Sequence, residues 1–141
     1  MTTINFFQES IVYVPRNKTQ LREWLTRCAA AEKKKIGELN YIFCSDPYLR
    51  KLNKKYLGHD YFTDIITFPS NMDDGKVLGG DIFISIPRVK MNAKAYGVPF
   101  STELKRVLAH GMLHLCGYND HTDEEIKTMR KKEDRCLAIK P

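Results

Sequence analysis

From His110 to His121 the chain reads HGMLHLCGYNDH, a stretch rich in groups that hold metal ions. His110 and His114 are four residues apart. On a helix each residue turns about 100°, so the two side chains stand about 40° apart, one turn above the other. Two imidazoles so placed reach one ion at about 2.1 Å, the usual zinc–nitrogen distance. Gly117 suits a left-handed residue that stops the helix and turns the chain back, so that the next few residues return a third ligand to the same ion. Asp120 stands at the third position of an HxxxHxxGxx pattern, and a carboxylate is an acceptable zinc ligand. His121 is the closer chemical match and needs only a one-residue bulge in the loop. Both are candidates, the other then supporting the ligand or relaying a proton. Three protein ligands leave a fourth position for water, which is the arrangement of a catalytic zinc.

The residue after the first histidine narrows the chemistry. Zinc proteases with helical histidine pairs carry a glutamate there as general base, and metzincins share the third-ligand offset. Here it is Gly111, so the metal scaffold comes without the peptidase base. The metal then activates water whose proton leaves by another route, or it mainly polarises the substrate. Arg106 lies one turn before His110 on the same helical face, where it either meets a phosphate and stabilises developing charge or is a solvated helix charge. Asp64, beside Thr63, either orients a ligand histidine or shapes a turn.

These residues need elements to hold them. Residues 4–9, INFFQE, form a strand candidate. Asn17 with Gln20 has the form of a capping box, and Leu21, Trp24, Leu25 and Cys28 give an amphipathic helix to about Lys34. LNYIFCS suits a buried strand. Ser45 or Asp46 before Pro47 opens a second helix that Gly58 ends. DIITFP and GGDIFISI are two more strands, parted by the turn-rich NMDDGK. Pro87 begins a helix ending near Gly97, and Ser101 can cap the helix of the histidine pair. Thr122 and Glu125 make a second capping box, opening a last helix toward Leu137. Strands and helices mix without strict alternation, so the expected class is α+β: one domain over residues 1–141, with a small mixed sheet covered by helices.

The whole chain of 141 residues is 43% hydrophobic and 28% charged, ordinary for a globular protein with a real core. No apolar run approaches the ~20 residues needed to cross a bilayer. MTTINFFQES has neither a basic leader nor an apolar core, so the expectation is a cytoplasmic protein without a membrane partner. Cys28, Cys44, Cys116 and Cys136 form no CxxC pair and are expected to be free thiols. With 23 Lys and Arg against 17 Asp and Glu, the net charge is +6, which favours a polyanionic partner such as nucleic acid. The basic last helix, Lys127 to Arg135, is interleaved with Glu124, Glu125, Glu133 and Asp134, which suits a salt-bridged solvated face.

TELKRVLAHGMLHLCGYND closely resembles the metal motif of the YbeY family of bacterial endoribonucleases, which act in ribosomal RNA maturation. LNKKYLGHDYFTDIITFP, from Leu52 to Pro69, is similar to that family's other characteristic block, and GGDIFIS also fits. The resemblance runs over roughly residues 40 to 138. It implies a single-strand-specific RNase with one zinc ion per chain. Its partners would be ribosomal RNA and the small ribosomal subunit, whose RNA it helps process at the 3′ end and quality-control, with no DNA partner. It also implies an α+β fold with the histidine helix beside a small mixed sheet, the metal held by His110, His114 and either Asp120 or His121, and catalytic roles for His114 and Arg106. The family usually has a histidine where Asp120 stands. It commonly has an arginine, tied to activity, where Leu57 stands. A leucine cannot grip a phosphate, so that role is lost or passes to Lys54, Lys55, His59 or Arg106. Two other readings compete: a peptidase-like hydrolase, against which Gly111 speaks, and a non-catalytic RNA- or ribosome-binding module with a structural zinc.

Overall fold

In the computed structural model, which describes residues 2–140, the central feature is a four-stranded sheet of order β1-β2-β4-β3. β1 (Thr3–Glu9), β2 (Lys35–Cys44) and β4 (Val77–Ser85) run parallel, and β3 (Ile65–Pro69) pairs antiparallel with β4. The register sets Phe6 opposite Tyr41, Tyr41 opposite Ile82, and Ile65 opposite Ile84. The α+β expectation with a small mixed sheet holds. β2 starts earlier than LNYIFCS implies, because its first residues pair with Val77 and Leu78 of β4.

Alternation along the strands divides the side chains between two faces. Leu39, Tyr41, Phe43, Ile82 and Ile84 enter the main core, under α1 (Lys18–Ala31), α4 (Phe100–Leu115) and α5 (Asp123–Ala138). Cys44, Ile66 and Phe83 have the opposite parity and pack with Leu49 and Tyr48 of α2 (Asp46–Leu57). α3 (Ile86–Tyr96) follows β4 directly. Two buried polar tips are satisfied across elements: the Tyr41 hydroxyl donates to the Leu108 carbonyl at 2.8 Å, and the Trp24 indole to that of Cys136 at 2.7 Å. They tie the sheet to α4 and α1 to α5.

Most of the expected helix ends are where the cap chemistry puts them. The Ser45 side chain accepts from the Tyr48 amide, Gly58 and Gly97 are left-handed, and Thr122 and Glu125 form a complete capping box. Two expectations fail. Asn17 makes no capping bond to the backbone, because its amide turns to the Gln20 side chain at 3.4 Å. Ser101 lies inside α4, which starts at Phe100 after Pro99, a fixed-φ residue that needs no side-chain cap to begin the turn. All four cysteines are free, and no helix among the described residues is long and apolar enough to cross a membrane.

Candidate metal centre

α4 is buried on one side, where Leu104, Leu108, Met112 and Leu115 enter the core. On its other face Glu103, Val107, His110 and His114 follow one another at helical spacing and line a cleft of about 660 Å³. Gly111 explains how the helix lies so near the sheet: a Cβ there would stand 2.9 Å from Ile82 and 3.0 Å from Ile65. The position that holds a base in zinc proteases thus faces packed apolar side chains.

His110, His114 and Asp120 converge as the sequence suggests, each offering one ligand atom within 4.8 Å of the others. His110 Nε2 is 2.9 Å from His114 Nε2 and 3.2 Å from Asp120 Oδ2, and the distance from His114 Nε2 to that oxygen is 3.6 Å. The other ring nitrogens are already committed. His114 Nδ1 lies 2.8 Å from the Tyr118 carbonyl, an acceptor only, so this nitrogen must carry the proton and leaves Nε2 bare. His110 Nδ1 lies 2.6 Å from Glu133 Oε2, with Glu133 buried at 5% exposure. With both rings neutral, two lone pairs and a carboxylate oxygen point at one place. Such a set repels itself unless a cation or a proton sits among its members, and imidazole with carboxylate is a donor set for zinc.

The electrostatics follow from this arrangement. Burial works against a charged His110, but the hydrogen bond and charge of Glu133, with Asp120 and Asp64, outweigh it and raise its pKa. His114 moves the other way, since burial and the neighbouring His110 ring both disfavour its charge. Burial also raises the pKa of Asp64 and Glu103, two carboxyls on the cleft wall. Glu103 is 3% exposed, and its Oε1 has no hydrogen-bond partner among the described residues, Arg106 Nε being 3.8 Å away.

The remaining expected site residues are placed differently. His121 lies outside the three-residue group: it is exposed at the cleft edge, its backbone amide bonded to Glu125 Oε1 at 3.2 Å. No bulge brings it inward, because Thr122 caps α5 immediately after it. Arg106, for which a phosphate contact and a solvated helix charge were the two expectations, holds Glu133 and Asp134 at 3.1 Å each. Its charge is matched by carboxylates, and it steadies the group that steadies His110. Leu57 is 46% exposed on the cleft wall, while Lys54 and Lys55 are exposed nearby on α2.

Glu133 is the main residue that the sequence reading missed. α5 looks like a solvated charged helix, yet Met129, Glu133 and Cys136 at i, i+4 and i+7 are its buried stripe. An acid in an apolar stripe was the available signal.

A family model for Endoribonuclease YbeY matches residues 3–139. This chain belongs to the Endoribonuclease YbeY family. Membership makes it a hydrolase. Among curated relatives, Endoribonuclease YbeY of Cytophaga hutchinsonii is 52% identical over 138 residues, covering 98% of this chain and 96% of that protein. The YbeY of Bacteroides fragilis is 42% identical over 137 residues, covering 97% of each chain. The solution structure of TM1509 from Thermotoga maritima superposes with a TM-score of 0.65 at 28% identity, covering 97% of this chain and 87% of that one. The match of the YbeY family model takes in both sequence blocks and all three converging residues.

Proposed function

We propose that the chain is a zinc-dependent, single-strand-specific endoribonuclease of one domain that binds one zinc ion through His110, His114 and Asp120. Its substrate is ribosomal RNA, in 3′-end processing and quality control of the small ribosomal subunit in the cytoplasm. The observation that carries this reading is the convergence of three acceptor atoms, 2.9–3.6 Å apart, with the histidine Nδ1 atoms turned to Glu133 and Tyr118. When bound, the ion supplies polarisation of a phosphoryl oxygen and acidification of water. The chain's own groups do the rest. Glu133 and the Tyr118 carbonyl fix ring orientation and tautomer, which keeps both Nε2 atoms aimed at one point. Arg106 holds Glu133 in place. Hydrolysis joins a water oxygen to phosphorus and breaks one P–O bond, and the departing ribose oxygen takes up a proton. Asp64 and Glu103, whose pKa values burial raises, are the cleft carboxyls suited to giving it.

The test is bound metal per chain, by elemental analysis, on the unaltered protein and on His114→Ala, Asp120→Ala and His121→Ala, each assayed on a single-stranded ribosomal RNA fragment. We expect about one zinc per chain. Metal and cleavage should be lost together in His114→Ala, strongly reduced in Asp120→Ala, and largely kept in His121→Ala. Zinc without cleavage in the unaltered protein would overturn the catalytic reading in favour of an RNA-binding protein whose metal pins the loop after α4.

A further inference from the structure

Two large aromatic side chains lie exposed on the wall of the metal cleft. Tyr61, in the loop between α2 and β3, is 55% exposed, and Tyr96, in the last turn of α3, is 61% exposed. Exposed ring surface on a cleft wall is apolar area that a bound partner would cover with a gain in free energy. Tyr61 is moreover held in place. Its ring stacks on His59 with centroids 5.2 Å apart and planes 16° from parallel, and its hydroxyl meets His59 Nδ1 at 3.1 Å. Its backbone carbonyl accepts from Asn53 Nδ2 at 3.1 Å, and Asn53 is 2% exposed. The Arg50–Asp60 pair at 3.0 Å anchors the same loop.

We propose that Tyr61 and Tyr96 are stacking platforms for nucleobases next to the scissile phosphate, and that they are the residues by which the cleft selects single-stranded RNA. The inference rests on the endoribonuclease reading above and adds the residues that read the strand. Base faces are free to stack on tyrosine only when they are not already stacked in a duplex. Leu57 lines the same cleft, and its side chain suits a base or sugar face better than a phosphate. The helices that bring Leu57 and Tyr96 to the cleft also expose Lys54, Lys55 and Lys94, within a chain of net charge +6, and these supply charge for the backbone. The ordered Tyr61 ring loses little freedom on binding, which is the property of a preformed site.

The experiment uses the full-length, metal-loaded protein and fluorescently labelled single-stranded RNA, intact or carrying one abasic nucleotide at successive positions, with binding read by stopped-flow anisotropy before the strand is cut. Tyr61→Ala and Tyr96→Ala should each weaken binding of intact strands about 5- to 30-fold, the range of one lost base–aromatic stack. Tyr61→Phe and Tyr96→Phe, which keep the ring, should restore most of it. An abasic nucleotide at the matching position should cost the parent a similar factor and cost the alanine variant almost nothing more. Alanine variants that bind like the parent, or abasic penalties equal in parent and variant, would overturn the proposal while leaving the endoribonuclease reading standing. A parent that binds no single-stranded RNA would overturn both.

Discussion

Glu133 decides how His110 is presented to a metal ion. Its Oε2 takes the proton side of His110 at 2.6 Å while its Oε1 meets Arg106 at 3.1 Å, so one carboxylate fixes a tautomer and is itself fixed. Removing such a partner typically lowers metal affinity 10- to 100-fold. Glu133→Gln keeps the shape, but an amide cannot offer acceptors to both His110 and Arg106. We expect zinc affinity to fall within that range, read by competition with a chelating dye, with the secondary structure unchanged by circular dichroism. At this scale the sequence named His110, His114 and Asp120 because helical spacing and a glycine stop are local. It could not choose between Asp120 and His121, nor find Glu133. Those outcomes depend on the path of the loop after Gly117 and on which face of α5 turns inward.

The histidine helix is placed by its contact with β4. Gly111 brings α4 close to the sheet, with Ile82 and Ile65 filling the space a side chain would need. Gly111→Val adds a branched side chain at a position with no room for its Cβ, and overpacking of this kind costs about 1–3 kcal/mol. We expect a lower thermal midpoint together with weaker zinc binding, because moving α4 off β4 carries both histidines away from Asp120. A melting curve and metal titration like those of the unaltered protein would contradict this account of Gly111. The elements themselves were legible wherever a local signal stood alone. Ser45 with Pro47, Thr122 with Glu125, and the glycines at 58 and 97 mark real ends. Asn17 and Ser101 show the limit: the residue type permits a cap, but Asn17 finds a nearby side chain and Pro99 starts α4 earlier.

Across the molecule, Glu32 joins three elements. From the end of α1 its carboxylate receives the Tyr118 hydroxyl at 2.5 Å and Lys132 of α5 at 3.1 Å. Tyr118 is also the residue whose carbonyl holds His114, so the pairing of α1 with α5 reaches the metal loop. Burial alone would raise the pKa of Glu32. The hydrogen bonds from Tyr118 and Lys132, with the charges of Lys132 and Arg135, more than reverse that, so it lies below the ordinary 4.5. A carboxyl depressed in the folded state stabilises the fold above its unfolded pKa, and the gain disappears as pH falls through the folded value. The window is therefore below pH 4.5. Glu32→Gln should cost about 1–2 kcal/mol at neutral pH, with the gap to the unaltered protein closing in melts taken below that point. A gap that stays constant from pH 7 to pH 3 would refute the assignment.

By itself the amino-acid sequence determined the helical histidine pair, the helix stops, the alternating strands and the excess of positive charge, since each is a property of neighbouring residues or of simple counts. Tertiary structure decided the rest. The crossover from β1 through α1 to β2 and the insertion of β4 beside β2 set the sheet order, which no local pattern encodes. Packing of α5 against α4 turned a charged helix into the support of His110 and committed Arg106 to carboxylates rather than to solvent. The fold also put Tyr61, in the loop before β3, and Tyr96, at the end of α3, 35 residues apart in the chain, on the wall of one cleft. Contacts between distant segments are chosen by the burial of whole faces, so their consequences become visible only when those faces meet.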